Sequence, residues 1–157
     1  MSRVEMKLAE LGLEIPEPPP ALANYVAAVR TGNLVFVAGH GPRRDGRYVY
    51  IGRLGQDLNV EEGYQAARLV ILNCLASLKA EIGDLDHVRR IVKLLGMVNS
   101  APGFHEQPAV INGASDLLVE LFGEHGRHAR SAVGMAELPM GISVEIELVV
   151  EVADPAP

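Results

Sequence analysis

The residues best suited to chemistry lie in the last third of the chain, where one arginine precedes a row of acidic side chains. Arg130 opens the segment RSAVGMAELPMGISVEIELVVE, and Glu145 and Glu147 lie further along it. A guanidinium can hold a carboxylate or a phosphate through two parallel hydrogen bonds. A carboxylate can act as a general base or position a water molecule. Each residue also has a structural interpretation, as a solvated arginine at a strand edge or as the polar face of a strand, and both interpretations stay open here.

The same segment predicts two β-strands joined by a turn at Leu138-Pro139-Met140-Gly141. Its second half alternates strictly between apolar and polar residues, which indicates one buried face and one polar face. In a hairpin around this turn, Arg130 pairs near Val149, about four residues along the strand from Glu145. At roughly 3.3 Å per residue that separation is about 13 Å, which is too long for one small ligand. Either the two residues have unrelated roles or a second subunit completes the site.

Other reactive side chains are less informative. His40 lies between two glycines at the end of a predicted strand, where backbone amides can approach a ligand, although a surface loop explains it equally. His125 and His128 are three residues apart with no third ligand nearby, so no metal site is predicted. Cys74 lies in the apolar stretch LVILNCLASL, which predicts a buried small hydrophobe rather than a reactive thiol.

Composition restricts the class of protein and its partners. The chain has 157 residues, which predicts one domain, and 4% aromatic residues, which predicts an aliphatic core. A net charge of -6 and a pI near 5.3 disfavour a nucleic-acid backbone as the main partner. Neither a membrane-spanning stretch nor a signal peptide is predicted. A single cysteine excludes an internal disulfide and fits a reducing compartment, so we expect a cytoplasmic protein.

Strands and two long helices are predicted behind a short N-terminal helix. The stretch IPEPPP must be extended because each proline removes a backbone donor, and we interpret it as a strap across the surface. Residues 1–20 therefore form a helix and a proline-rich strap within one domain spanning residues 1–157. The predicted elements are helix Ser2–Leu13, strands Tyr25–Arg30, Leu34–Ala38 and Arg47–Ile51, helix Val60–Ile82, strand Val88–Val98, helix Gln107–Phe122 and the two final strands.

This order of elements favours an α+β two-layer sandwich, in which both long helices pack on one face of a mixed β-sheet. Nothing else in the chain is left to cover the other face of that sheet. The strands are aliphatic, so leaving this face in water is unfavourable. Oligomerisation is the simplest way to cover it.

Three stretches of the chain carry a family likeness: ANYVAAVRTGNLVFVAGHGP, VINGASDLLVELFGEHG and HARSAVGMAELPMGISVEIELVVEVA. Together they resemble the RidA (YjgF) family of reactive intermediate deaminases, and the likeness runs from about Tyr25 to Val152. The most specific part is A-R-S-x-V followed by L-P and V-E-I-E. The N-terminal extension and the stretch NSAPGF resemble a longer branch of that family. The resemblance implies a chorismate-mutase-like sandwich that forms a homotrimer with a central β-barrel and ligand clefts between subunits.

The resemblance also implies a reaction and its residues. Deaminases of this family hydrolyse 2-imino acids, formed from enamines that pyridoxal-phosphate enzymes release, to 2-keto acids and ammonia, without a cofactor or metal. By position, Arg130 matches the arginine that grips the substrate carboxylate, and Glu145 matches the acid that positions the attacking water. Tyr25 matches a pocket tyrosine. Gly39 matches the glycine whose backbone lines the pocket, and Asn112 matches a helix asparagine near the cleft.

Three residues depart from the family pattern within the implied substrate-binding pocket. Ala38 stands where typical deaminases carry a serine or threonine, so one hydroxyl contact is missing. His40 stands where glutamine is usual and is the candidate to supply a replacement polar group. Ala132 stands where many members carry cysteine, which argues against thiol chemistry. An alternative is therefore a non-catalytic trimer that binds a small carboxylate metabolite. The family's ribonuclease label is less favoured because the chain lacks a basic stripe.

Overall fold

The computed structural model describes residues 1–20 and 23–154. The predicted single domain also includes residues 21–22 and 155–157, which lie outside the described part. The helices and strands are α1 (Arg3–Glu10), β1 (Ala28–Thr31), β2 (Leu34–His40), β3 (Arg43–Arg44), β4 (Arg47–Tyr48), α2 (Val60–Ile82), β5 (Val88–Asn99), α3 (Gln107–Phe122), β6 (Ala129–Met135) and β7 (Val144–Val152). Short 3-10 turns follow α2 and α3 and lie between β6 and β7, at Leu85–His87, Gly123–Gly126 and Pro139–Gly141.

Five strands form one mixed sheet in the order β1-β2-β7-β5-β6, and β3 and β4 form a separate small ladder. Only β5 and β6 are parallel within the large sheet, and α3 connects them. Parallel neighbours need such a crossover, whereas antiparallel ones can be joined by a turn. Both long helices pack against each other and against the same face of the sheet. The α+β sandwich predicted from the sequence is confirmed.

The predicted hairpin between the last two strands is wrong. β5 lies between β6 and β7, so Arg130 is level with Leu94 of β5, and Leu94 in turn is level with Leu148 of β7. The residues between β6 and β7 pass around the end of β5. There Asn99 donates hydrogen bonds from its backbone N–H to the carbonyl oxygen of Ser143 and from its side-chain amide to that of Ile142. The apolar residues of β5 point to both sheet faces, and a central position buries them better than an edge would.

Boundaries of the first strands also differ from prediction. The strand predicted at Tyr25–Arg30 begins only at Ala28, and the one predicted at Leu34–Ala38 continues to His40. The strand predicted at Arg47–Ile51 is reduced to the short ladder with β3. The two long helices match their predicted bounds.

The helix layer is held by caps and by close backbone contact. Asn59 caps α2 through a reciprocal pair of bonds with Glu62, which satisfies two free N–H groups of the first turn. α3 approaches α2 so closely at Gly113 that a Cβ there would lie 2.0 Å from the backbone oxygen of Tyr64. Only glycine permits this approach, because any side chain would force the two helices apart.

The N-terminal helix is shorter than predicted but is anchored to the domain. Ser2 caps α1 as expected. The carboxylate of Asp86 accepts hydrogen bonds from the backbone of Arg3 and Val4, at 2.9 and 3.1 Å. Glu5 pairs with Lys79 of α2. These bonds satisfy the free N–H groups of the first turn and tie α1 to the helix layer.

The sheet face away from the helices has no cover within the described residues. Val29 and Phe36 on this face are 51% and 47% exposed. With Leu95 and Val149 they line a shallow concavity of about 490 Å³. Water-exposed apolar patches of this kind are typical of protein interfaces. No helix among the described residues is long and apolar enough to cross a membrane.

Candidate functional site

Glu145 lies on the open face of the sheet, where β7 places it by strict alternation. Its neighbour Ile146 points into the core, and Glu147 shares the open face two residues further on. The Glu145 carboxylate packs against the backbone of Gly39, where a Cβ would lie 2.8 Å from Oε2. Gly39 is therefore the residue that makes room for this carboxylate.

The environment of Glu145 suits a group that accepts protons. Burial raises the pKa of the Glu145 carboxyl above its usual range, and the neighbouring charge of Glu147 raises it further. Within the described part of the chain, no hydrogen bond to this carboxylate is formed. Both oxygens are thus available to a water molecule or a ligand.

A β-bulge in β2 decides where His40 points. Val37 is level with Leu148 and His40 with Ile146, so three steps along β2 oppose two steps along β7. The extra residue reverses the alternation and turns His40 toward α2. His40 is 6% exposed, which contradicts its interpretation as a surface loop residue.

Hydrogen bonds hold the His40 ring in one tautomer. Nδ1 lies 2.5 Å from the carbonyl oxygen of Ala38, and Nε2 lies 2.7 Å from the hydroxyl oxygen of Ser77. A carbonyl only accepts, so Nδ1 carries the proton and Nε2 accepts from Ser77. Burial lowers the pKa of His40, which favours this neutral form. The imidazole therefore braces the bulge from beneath and does not replace the missing hydroxyl at Ala38.

Tyr25 and Gly39 are brought together at the same end of the sheet. They line a small concavity of about 60 Å³ that also includes Ala38 and His40. Tyr25 is 55% exposed, so its phenol is accessible to a ligand or to another chain. This group of residues, with Glu145, is called the glutamate half-site below.

Arg130 lies on β6, an edge strand of the sheet, and its side chain turns toward α3. Nη1 donates to the hydroxyl of Ser115 at 3.1 Å, and Nη2 donates to the carbonyl of Pro108 at 3.4 Å. Asn112 is exposed and lies four residues after Pro108 and three before Ser115, which places it on the same helix face. Arg130 and Asn112 together are called the arginine half-site.

Ala132 lies two residues after Arg130 on the same side of β6, half-buried against the core beside Gly96. Sequence reasoning missed Ser115 and assigned no role to His128, although the spacing of Pro108, Asn112 and Ser115 is a helical one. His128 is hydrogen-bonded to Ser115 at 2.9 Å. The sequence spacing could show that Pro108, Asn112 and Ser115 share a helix face. It could not show that Arg130 bonds to Ser115, because that bond is a tertiary contact between β6 and α3.

The two half-sites do not meet within one chain. Gly39 lies on β2 and Arg130 on the edge strand β6, so three strand spacings, about 14 Å, separate these two strands. Arg130 and Glu145 lie on opposite sheet faces, about two strand spacings and three residues apart, which is roughly 10 Å in each direction. Arg130 and Glu145 are therefore too far apart to hold one small ligand, as predicted, although the hairpin used for that prediction is absent.

The remaining candidates offer no chemistry. Cys74 is fully buried, and burial raises the pKa of its thiol. This matches the predicted buried hydrophobe. The described residues contain no group of three histidine, cysteine or acidic side chains that could hold a metal ion.

The chain and its fold match one protein family. Residues 5–152 match the family model described as "YjgF/chorismate_mutase-like, putative endoribonuclease". The chain belongs to this family, which confirms the resemblance seen in the sequence. It is 46% identical over 150 residues to protein TCP17 of Trypanosoma cruzi, covering 95% of this chain and 94% of that protein.

Solved structures fall into two levels of similarity. The structure of Atu1372 from Agrobacterium tumefaciens, a protein of unknown function, has 46% identity and a TM-score of 0.91, covering 96% of this chain and 92% of that one. The structure of E. coli TdcF with bound serine has 25% identity and a TM-score of 0.61, covering 87% and 94%. This difference agrees with a branch distinct from TdcF within the family.

Proposed function

We propose that this protein is a cofactor-free hydrolase that converts reactive 2-imino acids, or the enamino acids that give rise to them, to 2-keto acids and ammonia. The observation that carries the proposal is the Glu145 carboxylate. It is half-buried against Gly39, has no hydrogen-bond partner among the described residues, and has a raised pKa. A base whose pKa approaches the working pH is effective at activating water.

The proposed site lies between copies of the chain in a homotrimer. One copy supplies Arg130 and Asn112, and its neighbour supplies Glu145, Tyr25 and Gly39. Two observations support this arrangement. Arg130 lies on an edge strand and Glu145 on the central strand, on opposite faces of the sheet. The open face exposes Val29 and Phe36. The bound serine of TdcF, a small molecule with a carboxylate, supports a ligand of the same class.

The chemistry needs only positioned charges. The carbon of an imine is electrophilic, so a water molecule held by Glu145 can form a bond to it while Glu145 takes one water proton. The electron pair of the C=N bond moves to nitrogen, which takes the proton back from Glu145, and a carbinolamine results. Glu145 then takes the hydroxyl proton and passes it to the amino nitrogen, the C–N bond breaks, ammonia leaves and the keto group forms. Arg130 holds the substrate carboxylate throughout.

An alternative is a trimer that binds a small carboxylate metabolite without transforming it. The specific observation in its favour is the pair Ala38 and Ala132, which supply no hydroxyl and no thiol to the pocket. His40 does not compensate, because its ring is engaged by Ser77 beneath the bulge. RNA cleavage has less support, since the chain has a net charge of -6 and the open face carries Glu145 and Glu147.

The decisive experiment generates imino acids in place, with a threonine dehydratase or a flavin-dependent amino-acid oxidase, and follows their decay. We expect the protein to accelerate decay, and Arg130→Ala and Glu145→Gln each to lower kcat/KM by at least about 100-fold. No acceleration over buffer with several amino acids would rule out the hydrolase. Calorimetry with 2-keto acids then tests the alternative, which requires binding heat that Arg130→Ala abolishes. RNA cleavage that persists in the double variant Arg130→Ala, Glu145→Ala would indicate a contaminant.

A further inference from the structure

Arg130 stands at one end of an unbroken hydrogen-bonded chain of four groups. Arg130 Nη1 lies 3.1 Å from Ser115 Oγ, and Ser115 Oγ lies 2.9 Å from His128 Nε2. His128 Nδ1 lies 2.7 Å from the carbonyl oxygen of Gly126. The chain thus runs from β6 through α3 to the turn that precedes β6.

The direction of every bond in this chain follows from chemistry. The Gly126 carbonyl only accepts, so His128 carries its proton on Nδ1 and presents a lone pair on Nε2. Ser115 must then donate its single proton to His128, and its oxygen is left to accept from Arg130. Arg130 has only donors, so no other assignment satisfies all four groups while the imidazole is neutral.

The Gly126 end of this hydrogen-bonded chain is tightly packed. Gly126 is buried, and a Cβ there would lie 2.2 Å from the backbone oxygen of Leu118, so its backbone is packed directly against α3. The guanidinium is held at a second point by Pro108 O at 3.4 Å. Among the described residues, two of its five N–H groups are used in this way, and the other three are available to a ligand.

We infer that Ser115 and His128 are positioning residues for Arg130: the hydrogen-bonded chain from Gly126 orients the guanidinium toward an anionic ligand. The functional part of this inference rests on the proposed role of Arg130 in binding a substrate carboxylate. A preoriented guanidinium loses less conformational freedom on binding, and therefore binds more tightly.

Electrostatics around His128 agree with a neutral ring. Burial lowers the pKa of His128, and the positive charge of Arg130 lowers it further. On α3, the nearest acid to Ser115 in sequence is Asp116, and it accepts a hydrogen bond from Tyr64 at 2.7 Å. On the preceding turn, Glu124 pairs with Arg127. On β5, Lys93 bonds to Ser131.

Nuclear magnetic resonance tests whether this hydrogen-bonded chain orients Arg130, and it needs no ligand. In the wild-type protein we expect His128 to be protonated at Nδ1 and the Nη signals of Arg130 to be resolved, because rotation of the guanidinium is slow. In Ser115→Ala we expect the Nη signals of Arg130 to merge and His128 to populate both tautomers. In Ser115→Thr the Nη signals should stay resolved and His128 should stay protonated at Nδ1. Tyr64→Phe is the matched control, since it removes a hydroxyl bonded to the next residue of α3. A guanidinium as restricted in Ser115→Ala as in wild type would overturn the inference, as would His128 protonated at Nε2.

Ligand affinity measures the effect of orienting Arg130. With 2-oxobutanoate as the probe, we expect Ser115→Ala to weaken binding about tenfold, with Ser115→Thr and Tyr64→Phe close to wild type. Equal affinity in Ser115→Ala and wild type would refute the positioning role. If the wild-type protein binds no 2-keto acid, the carboxylate-binding function fails, and the resonance experiment still decides whether the chain orients Arg130.

Discussion

A carboxylate packed against a glycine and lacking a hydrogen-bond partner among the described residues is the residue-scale feature on which the proposed chemistry depends. Glu145 combines partial burial with a like charge two residues away, and both raise its pKa. Its ionised form is thereby less stable than that of an exposed glutamate, which makes it a stronger base. The same two causes make the pH dependence of activity a direct test of its role.

Glu147→Gln removes the like charge from the open face, so we expect the pKa of Glu145 to fall. Activity needs ionised Glu145, and is lost as the pH drops through this pKa. The acid limb of the kcat/KM profile should therefore move to lower pH in the variant. Glu151→Gln is the control, because it lies on the same strand about 20 Å from Glu145 at 3.3 Å per residue and should leave the profile unchanged. An unshifted limb in Glu147→Gln would exclude Glu145 as the base.

At the scale of the element, the bulge in β2 couples Gly39 to Glu145. Gly39→Ala adds a Cβ 2.8 Å from Oε2 and must displace the carboxylate. Gly39 is not at positive φ, so alanine is compatible with its backbone. We expect kcat/KM for imine hydrolysis to fall by more than about tenfold, with a melting temperature within about 2 °C of wild type. A fully active Gly39→Ala protein would show that this contact does not matter.

The two long helices depend on their close approach at Gly113. Gly113→Ala places a Cβ 2.0 Å from the Tyr64 backbone oxygen, and the helices must separate to accommodate it. Such overpacking costs about 1–3 kcal/mol, and we expect a loss of this size in the free energy of unfolding by urea. Val119→Ala, at an exposed position of the same helix, should change it by less than about 0.5 kcal/mol. Similar losses in both variants would contradict the packing argument.

At the scale of the whole molecule, the proposed site should be shared between copies. Arg130→Ala and Glu145→Gln should each be inactive alone. Mixed trimers formed after refolding the two variants together contain some clefts with Arg130 of one copy and Glu145 of its neighbour. We therefore expect activity to return on mixing, to at most about a quarter of the wild-type rate for random assembly. Inactive mixed trimers would place both residues in one chain.

The mass of the assembly provides the control for that experiment. Sedimentation should give about three times the chain mass of 16.9 kDa for the wild type and for both variants. Phe36→Asp puts a charge on the exposed apolar face, so it should dissociate the assembly while the chain stays folded. A monomeric wild-type protein would rule out the shared site whatever the mixing experiment shows.

Local patterns in the sequence determined much of this protein. The alternation of β7 predicted which side chains are buried, and the apolar periodicity of α2 and α3 with their flanking signals predicted both helices. These features depend on residues close together in the chain, because strand and helix periods assign each side chain to a face. The resemblance of three sequence stretches to a known family predicted the family and the candidate residues of both half-sites.

Tertiary structure alone decided which strands are neighbours and what supports each half-site. A turn signal between β6 and β7 suggested pairing, but β5 separates them because its two apolar faces favour a central place in the sheet. One extra residue in β2 turned His40 beneath the sheet. The bond from Arg130 to Ser115 joins a strand to a helix 15 residues away. Periodicity encodes the face on which a side chain lies, whereas its partner depends on how distant elements pack to bury apolar surface.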